Sequence, residues 1–95
     1  MHEEQLYRAA LDGDPEKVGQ LLAGGADPNA VSEGEDGGLP LCAAAARDRA
    51  EVASALLAAG ADVNGRESGG WTALLWAAAN GHAETAERLI EAGAD

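Results

Sequence analysis

The feature that most constrains this chain is that it repeats itself. Ala92-Gly93-Ala94-Asp95 recurs as Ala59-Gly60-Ala61-Asp62, 33 positions earlier, and as Gly24-Gly25-Ala26-Asp27, a further 35 positions back. Leu74-Leu75-Trp76-Ala77-Ala78 lies over Leu41-Cys42-Ala43-Ala44-Ala45 and over Leu6-Tyr7-Arg8-Ala9-Ala10 at the same two offsets. Two anchors at opposite ends of the unit hold one register, which chance likeness between alanine-rich segments does not do. Each unit carries two short helical patterns. In the last unit Thr72 precedes the run Ala73–Ala79, and Asn80-Gly81 stops it, because glycine tolerates the left-handed conformation that ends a helix. Ala83, Ala86, Leu89 and Ile90 then recur at helical spacing, with Glu84, Glu87, Arg88 and Glu91 on the polar face and Gly93 as the stop. A period of 33 with two helices per unit predicts a solenoid, in which each helix pair buries its flanks against its neighbours.

Gly70-Trp71-Thr72-Ala73-Leu74, Ala77-Ala78, Asn80-Gly81-His82, Glu84 and the run from Leu89 to Asp95 resemble an ankyrin repeat. The segment from Ala58 to Asn64 resembles the end of the preceding repeat and its run into a β-turn finger. The likeness covers essentially the whole chain. It implies an all-α ankyrin-repeat solenoid of stacked antiparallel helix pairs with projecting β-turn fingers. It also implies a single domain over residues 1–95, with repeats at about 3–34, 35–66 and 67–95.

The composition fits that architecture. Ninety-five residues are too few for two independent cores. With only 3% aromatic residues, the interior has to be built from alanine and leucine at close helix spacing. The single cysteine, Cys42, excludes an intramolecular disulfide and fits a reducing compartment. Its place in the Leu41–Ala46 run points to a small buried apolar residue rather than a reactive thiol. No apolar run approaches membrane-spanning length, and Met1-His2-Glu3-Glu4 lacks the basic start of a signal peptide. These features lead to the expectation of a soluble, cytoplasmic protein.

In chain order, Glu3–Leu11 is expected to form the first helix. It carries Glu4, Gln5 and Arg8, and Arg8 stands where the later units have Ala43 and Trp76. That polar flank is similar to an N-terminal capping repeat of the family. Asp14 caps the second helix with Pro15 in its first position, and Val18, Leu21 and Leu22 form its buried stripe. Residues 30–38 form the first finger, two residues longer than its partner, since Asn29 to Leu41 spans 12 positions and Asn64 to Leu74 spans 10. Glu33, Glu35 and Asp36 make it acidic. The alternatives are a solvated turn that tolerates insertion and an acidic contact loop. Leu39 stands where the family prefers threonine, so a side-chain cap is missing there. The family's histidine three residues later is absent throughout, replaced by Tyr7, Cys42 and Leu75. The resemblance therefore implies a lost hydrogen-bond network between neighbours and an array less stable than a consensus one. Val52, Leu56 and Leu57 continue the core. Trp76 faces Ala43 one unit back and is expected in the core, a large ring against a small residue. Trp71 lies in the second finger, either as an exposed contact residue or with its ring flat on its own repeat.

No catalytic constellation is legible. His2 and His82 lie at opposite ends of the chain, Cys42 has no nearby base, and the glycines sit at helix ends rather than in a phosphate cradle. The expectation is a chain that is no enzyme and needs no cofactor or metal. The formal net charge of −11 would repel nucleic-acid phosphate and an anionic membrane, and attract a basic partner, although acidity also serves solubility. Resemblance to ankyrin repeats implies a non-catalytic protein–protein interaction module. Its partner surface would lie across the finger tips and the exposed side of each first helix: Leu11, Asp12, Glu33, Glu35, Asp36, Ala46, Arg47, Arg66, Ser68, Trp71 and Asn80. Trp71 and Arg66 would anchor, with Glu33, Glu35 and Asp36 steering a basic partner. The alternative is a small acidic inhibitor or immunity-type protein that neutralises a basic enzyme. A structural scaffold or engineered repeat is a third class, which the irregular finger and the missing histidines oppose. No polar closing unit follows Asp95, which leaves three alternatives: the start of a longer array cut at a repeat boundary, a three-unit array that tolerates the exposure, or a last flank covered by another chain. The first two come ahead of a dimer, so a monomer is expected, with self-association through the last repeat as the alternative.

Overall fold

A computed structural model describes residues 2–32 and 38–94, with His2 and Glu3 described through their backbone only. The described residues form six α-helices in three antiparallel pairs: α1 (His2–Asp12) with α2 (Pro15–Ala23), α3 (Pro40–Ala46) with α4 (Ala50–Ala58), and α5 (Ala73–Ala79) with α6 (Ala83–Glu91). The helix starts follow local chemistry. Asp14 Oδ1 accepts the Lys17 amide at 3.1 Å, with Pro15 opening α2. Thr72 Oγ1 accepts the Leu75 amide at 3.2 Å and opens α5. Helices α3 and α5 are seven residues each, too short to persist in water by propensity alone. Tertiary burial holds them: Leu41 to Ala45 are all buried in α3, as are Ala73 and Ala77 in α5.

The pairs stack in a line. The first helices make one row, α1 on α3 on α5, and the second helices another, α2 on α4 on α6. The middle pair separates the outer two, which is the arrangement of a solenoid rather than of a closed bundle. Leu6, Val18, Val52, Leu56 and Leu89 supply the bulk of the core, and alanines fill the narrow space between first helices. Alanine lets those axes approach closely, which accounts for a core built almost without aromatic residues.

Tight turns join the helices of each pair, and they also bind the pairs together. Gly13 (φ 71°) and Gly81 (φ 73°) take the left-handed conformation, and in the middle pair Asp48 takes it at φ 58°. An aspartate there is strained, but its Oδ1 accepts the buried Thr85 hydroxyl at 2.7 Å, and Oδ2 stands 3.8 Å from His82 Nδ1. One residue further on, Arg49 Nε donates to the Leu11 carbonyl at 3.1 Å. The residue in the same register 33 positions later, His82, places Nε2 3.2 Å from the Ala46 carbonyl. A carbonyl only accepts, so Nε2 carries the proton. Two different side chains thus make the same bond to the preceding pair.

Elsewhere, Asn29 donates to the Gly60 carbonyl at 3.1 Å and accepts the Asp62 amide at 2.6 Å. The positions of the missing histidines therefore do not leave neighbouring pairs unlinked, because other side chains carry the bonds.

Two expectations for α6 need correction. Arg88, placed by periodicity on the polar face with Glu84, Glu87 and Glu91, is not left to solvent: its guanidinium donates to the Ala50 carbonyl at 3.2 Å and the Ser54 hydroxyl at 2.8 Å, and pairs with Glu84 at 2.8 Å. It fastens α6 to α4. Ile90, placed by periodicity in the buried stripe, is 57% exposed, and Thr85 is buried instead. The reason is positional. Leu57, 33 positions earlier, packs against the core because a third pair lies beyond the second, whereas no described element lies beyond α6. Leu75 shows the same effect, 50% exposed where Cys42 of the middle pair is buried.

Candidate functional site

The segment between α4 and α5 projects as a finger. Gly65 N–H donates to Asp62 O at 3.0 Å, Glu67 N–H to Trp71 O at 2.8 Å, and Gly70 N–H to Glu67 O at 2.9 Å. Gly69 (φ 84°) and Gly70 (φ 82°) are consecutive left-handed residues, a reversal that side chains with a Cβ resist. The first finger closes in the same way, Ser32 N–H donating to Gly38 O at 3.0 Å. Its acidic residues Glu33, Glu35 and Asp36 lie outside the described residues.

Glu67 organises the base of the second finger. Its Oε2 accepts the Leu39 amide at 2.7 Å and its Oε1 accepts the Trp76 indole N–H at 3.0 Å. The buried Cys42 thiol lies within the electrostatic influence of this carboxylate. Leu39 has no side-chain cap of its own to offer α3, as its sequence implies, and the next finger's Glu67 binds its amide instead. Gly38 leaves the room: a Cβ there would run into Glu67, 2.7 Å from its carboxyl carbon. Trp76 turns its ring toward Trp71, the two stacking with centroids 4.5 Å apart and planes 29° from parallel. Trp76 is therefore half-buried between finger and helix rather than wholly in the core. Trp71 satisfies both open alternatives at once: its ring lies on Trp76, yet the residue remains 38% exposed.

This environment silences Cys42. Burial first, then the negative charge of Glu67, push the thiol well above its ordinary value of 9.0. In the unfolded chain the thiol ionises around 9.0, while in the folded chain it stays protonated. Above that pH the folded state binds the extra proton, so the stabilisation is complete below 9.0 and declines as pH rises. From this group the decline is at most about 1.4 kcal/mol per pH unit. Urea unfolding of wild type and Cys42→Ala at pH 8 and pH 10 checks this. The stability difference should move in favour of the alanine variant at the higher pH, and a pH-independent difference would contradict it.

The remaining sequence-derived contact residues fall into two groups. Arg66, Ser68 and Trp71 lie exposed on the second finger. Leu11, Asp12, Ala46, Arg47 and Asn80 lie at the C-terminal ends of the first helices, at the far end from the fingers. With seven residues in α5, that separation is about 10 Å along the helix. Asp12, Arg47 and Asn80 are exposed, and Leu11 and Ala46 are half-buried. Asn80 Nδ2 donates to the Ala46 carbonyl at 3.1 Å, so part of this group is occupied in joining the pairs. A recess of about 210 Å³ beside the second finger is lined by Asn64, Arg66, Gly70, Thr72 and Leu75. A larger one, about 400 Å³, lies on the first pair among Glu4, Gln5, Arg8, Asp12, Asp14 and Lys17, and shares only Asp12 with the expected surface.

Sequence reasoning missed Glu67, Leu75 and the register position shared by Arg49 and His82. The last was detectable, since aligning the units at their offsets of 35 and 33 superposes Asp14, Arg49 and His82. Glu67 aligns with Ser32 and carried no separate signal. Among the described residues no three histidine, cysteine or acidic side chains are grouped to hold a metal ion, and no helix is long and apolar enough to cross a membrane.

Stacked helix pairs that present a row of turns and an exposed helix edge define a repeat scaffold of the kind that works through its surface. A family model described as Ankyrin repeats (3 copies) matches residues 6–95. The chain belongs to the ankyrin-repeat family, whose members generally act as protein–protein interaction modules and are typically non-catalytic.

Proposed function

We propose that this chain is a non-catalytic module that binds a partner protein through its second finger and the exposed side of the first-helix row. The observation that carries the reading is Trp71, a large ring left partly exposed on a finger whose backbone is bonded to itself. A large aromatic ring on a preformed turn is the residue type that dominates binding energy, because little ordering entropy opposes contact. Arg66 stands exposed on the same finger and makes no hydrogen bond or ion pair with any described residue. Glu33, Glu35 and Asp36 of the first finger are assigned to steering a basic partner.

We take the chain to be a monomer, a reading supported by one register position that disfavours head-to-tail stacking. Asp14 occupies the register position from which Arg49 and His82 donate to the preceding pair. A carboxylate cannot make that bond to a carbonyl, so a second copy stacking its first pair on α5–α6 meets repulsion there.

The second reading, a small acidic inhibitor of a basic enzyme, is supported by the charge of −11 and by exposed Asp12, Asp27, Asp62, Glu51, Glu84, Glu87 and Glu91. Affinity capture from native lysate with wild type and with Trp71→Ala and Arg66→Ala variants separates the two. For the finger reading, Trp71→Ala is expected to weaken binding of the captured partner by about 2 kcal/mol, with a mild salt response. Unchanged affinity would remove Trp71 from the site. A steep loss between low and physiological salt, indifferent to Trp71, would favour the charge-based inhibitor.

A further inference from the structure

We propose that Glu67 is the positioning residue of the second finger: its carboxylate holds Trp76, and Trp76 in turn holds Trp71 in its exposed pose. This deepens the reading of Trp71 as a binding anchor and rests on it only for its functional consequence; the positioning itself is a property of the free protein.

Two hydrogen bonds meet at this carboxylate, and two further contacts extend them to Trp71. Glu67 Oε1 accepts the Trp76 indole N–H at 3.0 Å, which fixes the rotation of that ring about its long axis. Its Oε2 accepts the Leu39 amide at 2.7 Å, which fixes the carboxylate to the start of α3. The Glu67 amide donates to the Trp71 carbonyl at 2.8 Å, so the residue that holds the platform also closes the finger. The two indoles stack at 4.5 Å, which makes the pose of Trp71 depend on that of Trp76. The chain of contacts therefore runs from α3, through Glu67 and Trp76, to Trp71.

The alternatives for holding Trp71 are weaker. The finger around it is glycine-rich, with Gly69 and Gly70 both left-handed, and offers few side chains to restrain an indole. An added Cβ at Gly69 would lie 3.6 Å from Trp71 Cδ1, and one at Gly70 would meet nothing within 4 Å. Without a fixed Trp76, the Trp71 side chain has free rotamers to lose on binding. Glu67 thus lets the finger present its ring already ordered. It also ties that order to α3, so anything that disturbs the start of α3 reaches the finger.

The test uses ¹⁵N-labelled protein without any partner. The two tryptophans give two indole N–H resonances, assigned with Trp71→Phe. In wild type, the Trp76 indole proton should exchange with water at least about tenfold more slowly than that of Trp71, and the Trp71 ring protons should carry upfield ring-current shifts from the stack. In Glu67→Gln, which keeps the shape and loses one acceptor and the charge, the Trp76 protection should fall. The Trp71 ring shifts should shrink toward free-indole values, while the amide resonances of α2 and α4 stay in place. Trp76→Phe, which keeps a ring and removes the donor, should loosen Trp71 in the same way.

Fast exchange of the Trp76 indole in wild type would overturn the proposal whether or not any variant folds. So would unchanged Trp71 shifts in Glu67→Gln or Trp76→Phe. Failure of Trp71→Ala to weaken partner capture would instead remove the binding reading and leave the positioning role standing.

Discussion

Leu56→Ala is expected to lower the stability of the chain by about 3 kcal/mol, measured by urea unfolding at neutral pH. Leu56 is fully buried in α4, the second helix of the middle pair, with α2 packed on one side and α6 on the other. Its truncation leaves a void in the core of the helix that both outer pairs pack against. The site cannot collapse inward easily, because the neighbouring helices are already held at fixed spacing by Arg88, Asn29 and the turn bonds. For a domain of this size the total is about 5–10 kcal/mol, so the variant should lie close to its unfolding threshold. Nearest-neighbour coupling adds a second signature: a weakened middle pair should broaden the transition, since the outer pairs lose their common partner. Leu75→Ala is the control. At 50% exposure it should change stability by less than about 0.5 kcal/mol. Equal losses for the two leucines would mean that the middle pair is not the keystone the stacking implies.

Gly38→Ala is the second large effect, expected to cost about 2–3 kcal/mol for the addition of one methyl group. Gly38 is buried, and the Cβ of any other residue would collide with the Glu67 carboxylate. That carboxylate is held by the Leu39 amide and the Trp76 indole, so it has no cheap direction in which to move. Displacing it leaves those donors, in a largely buried place, without their acceptor. The measurement is again urea unfolding, with Glu67→Ala and the double variant completing a cycle. If the collision is the cause, Gly38→Ala should cost much less in the Glu67→Ala background. Additive losses would show that Gly38 matters for a reason unrelated to Glu67.

The fold was legible because solenoid formation needs only local information repeated in register. Helix stops at Gly13, Gly81 and Gly93, caps at Asp14 and Thr72, and alanine runs in the first helices are all read from a few adjacent residues. The candidate site was only partly legible. Trp71 and Arg66 stood out as large or charged side chains in a glycine-rich finger, and the structure leaves both exposed there. What sequence reading expected of Ile90 and Arg88 failed for one reason. Helical periodicity says which side chains share a face, but not whether anything covers that face. Ile90 points to a flank with no described neighbour, and Arg88 to one with α4 behind it.

By itself, then, the sequence determined the unit, its register and the direction of stacking, because each follows from backbone propensities and apolar spacing within about 33 residues. Only the tertiary structure decided how the units are tied. The bonds between them join Glu67 to Leu39, Arg49 to Leu11, His82 to Ala46, and Thr85 to Asp48. These link residues some 28 to 38 positions apart through side chains that change from one unit to the next. A hydrogen bond needs a donor within about 3 Å of an acceptor, and that proximity is created by packing.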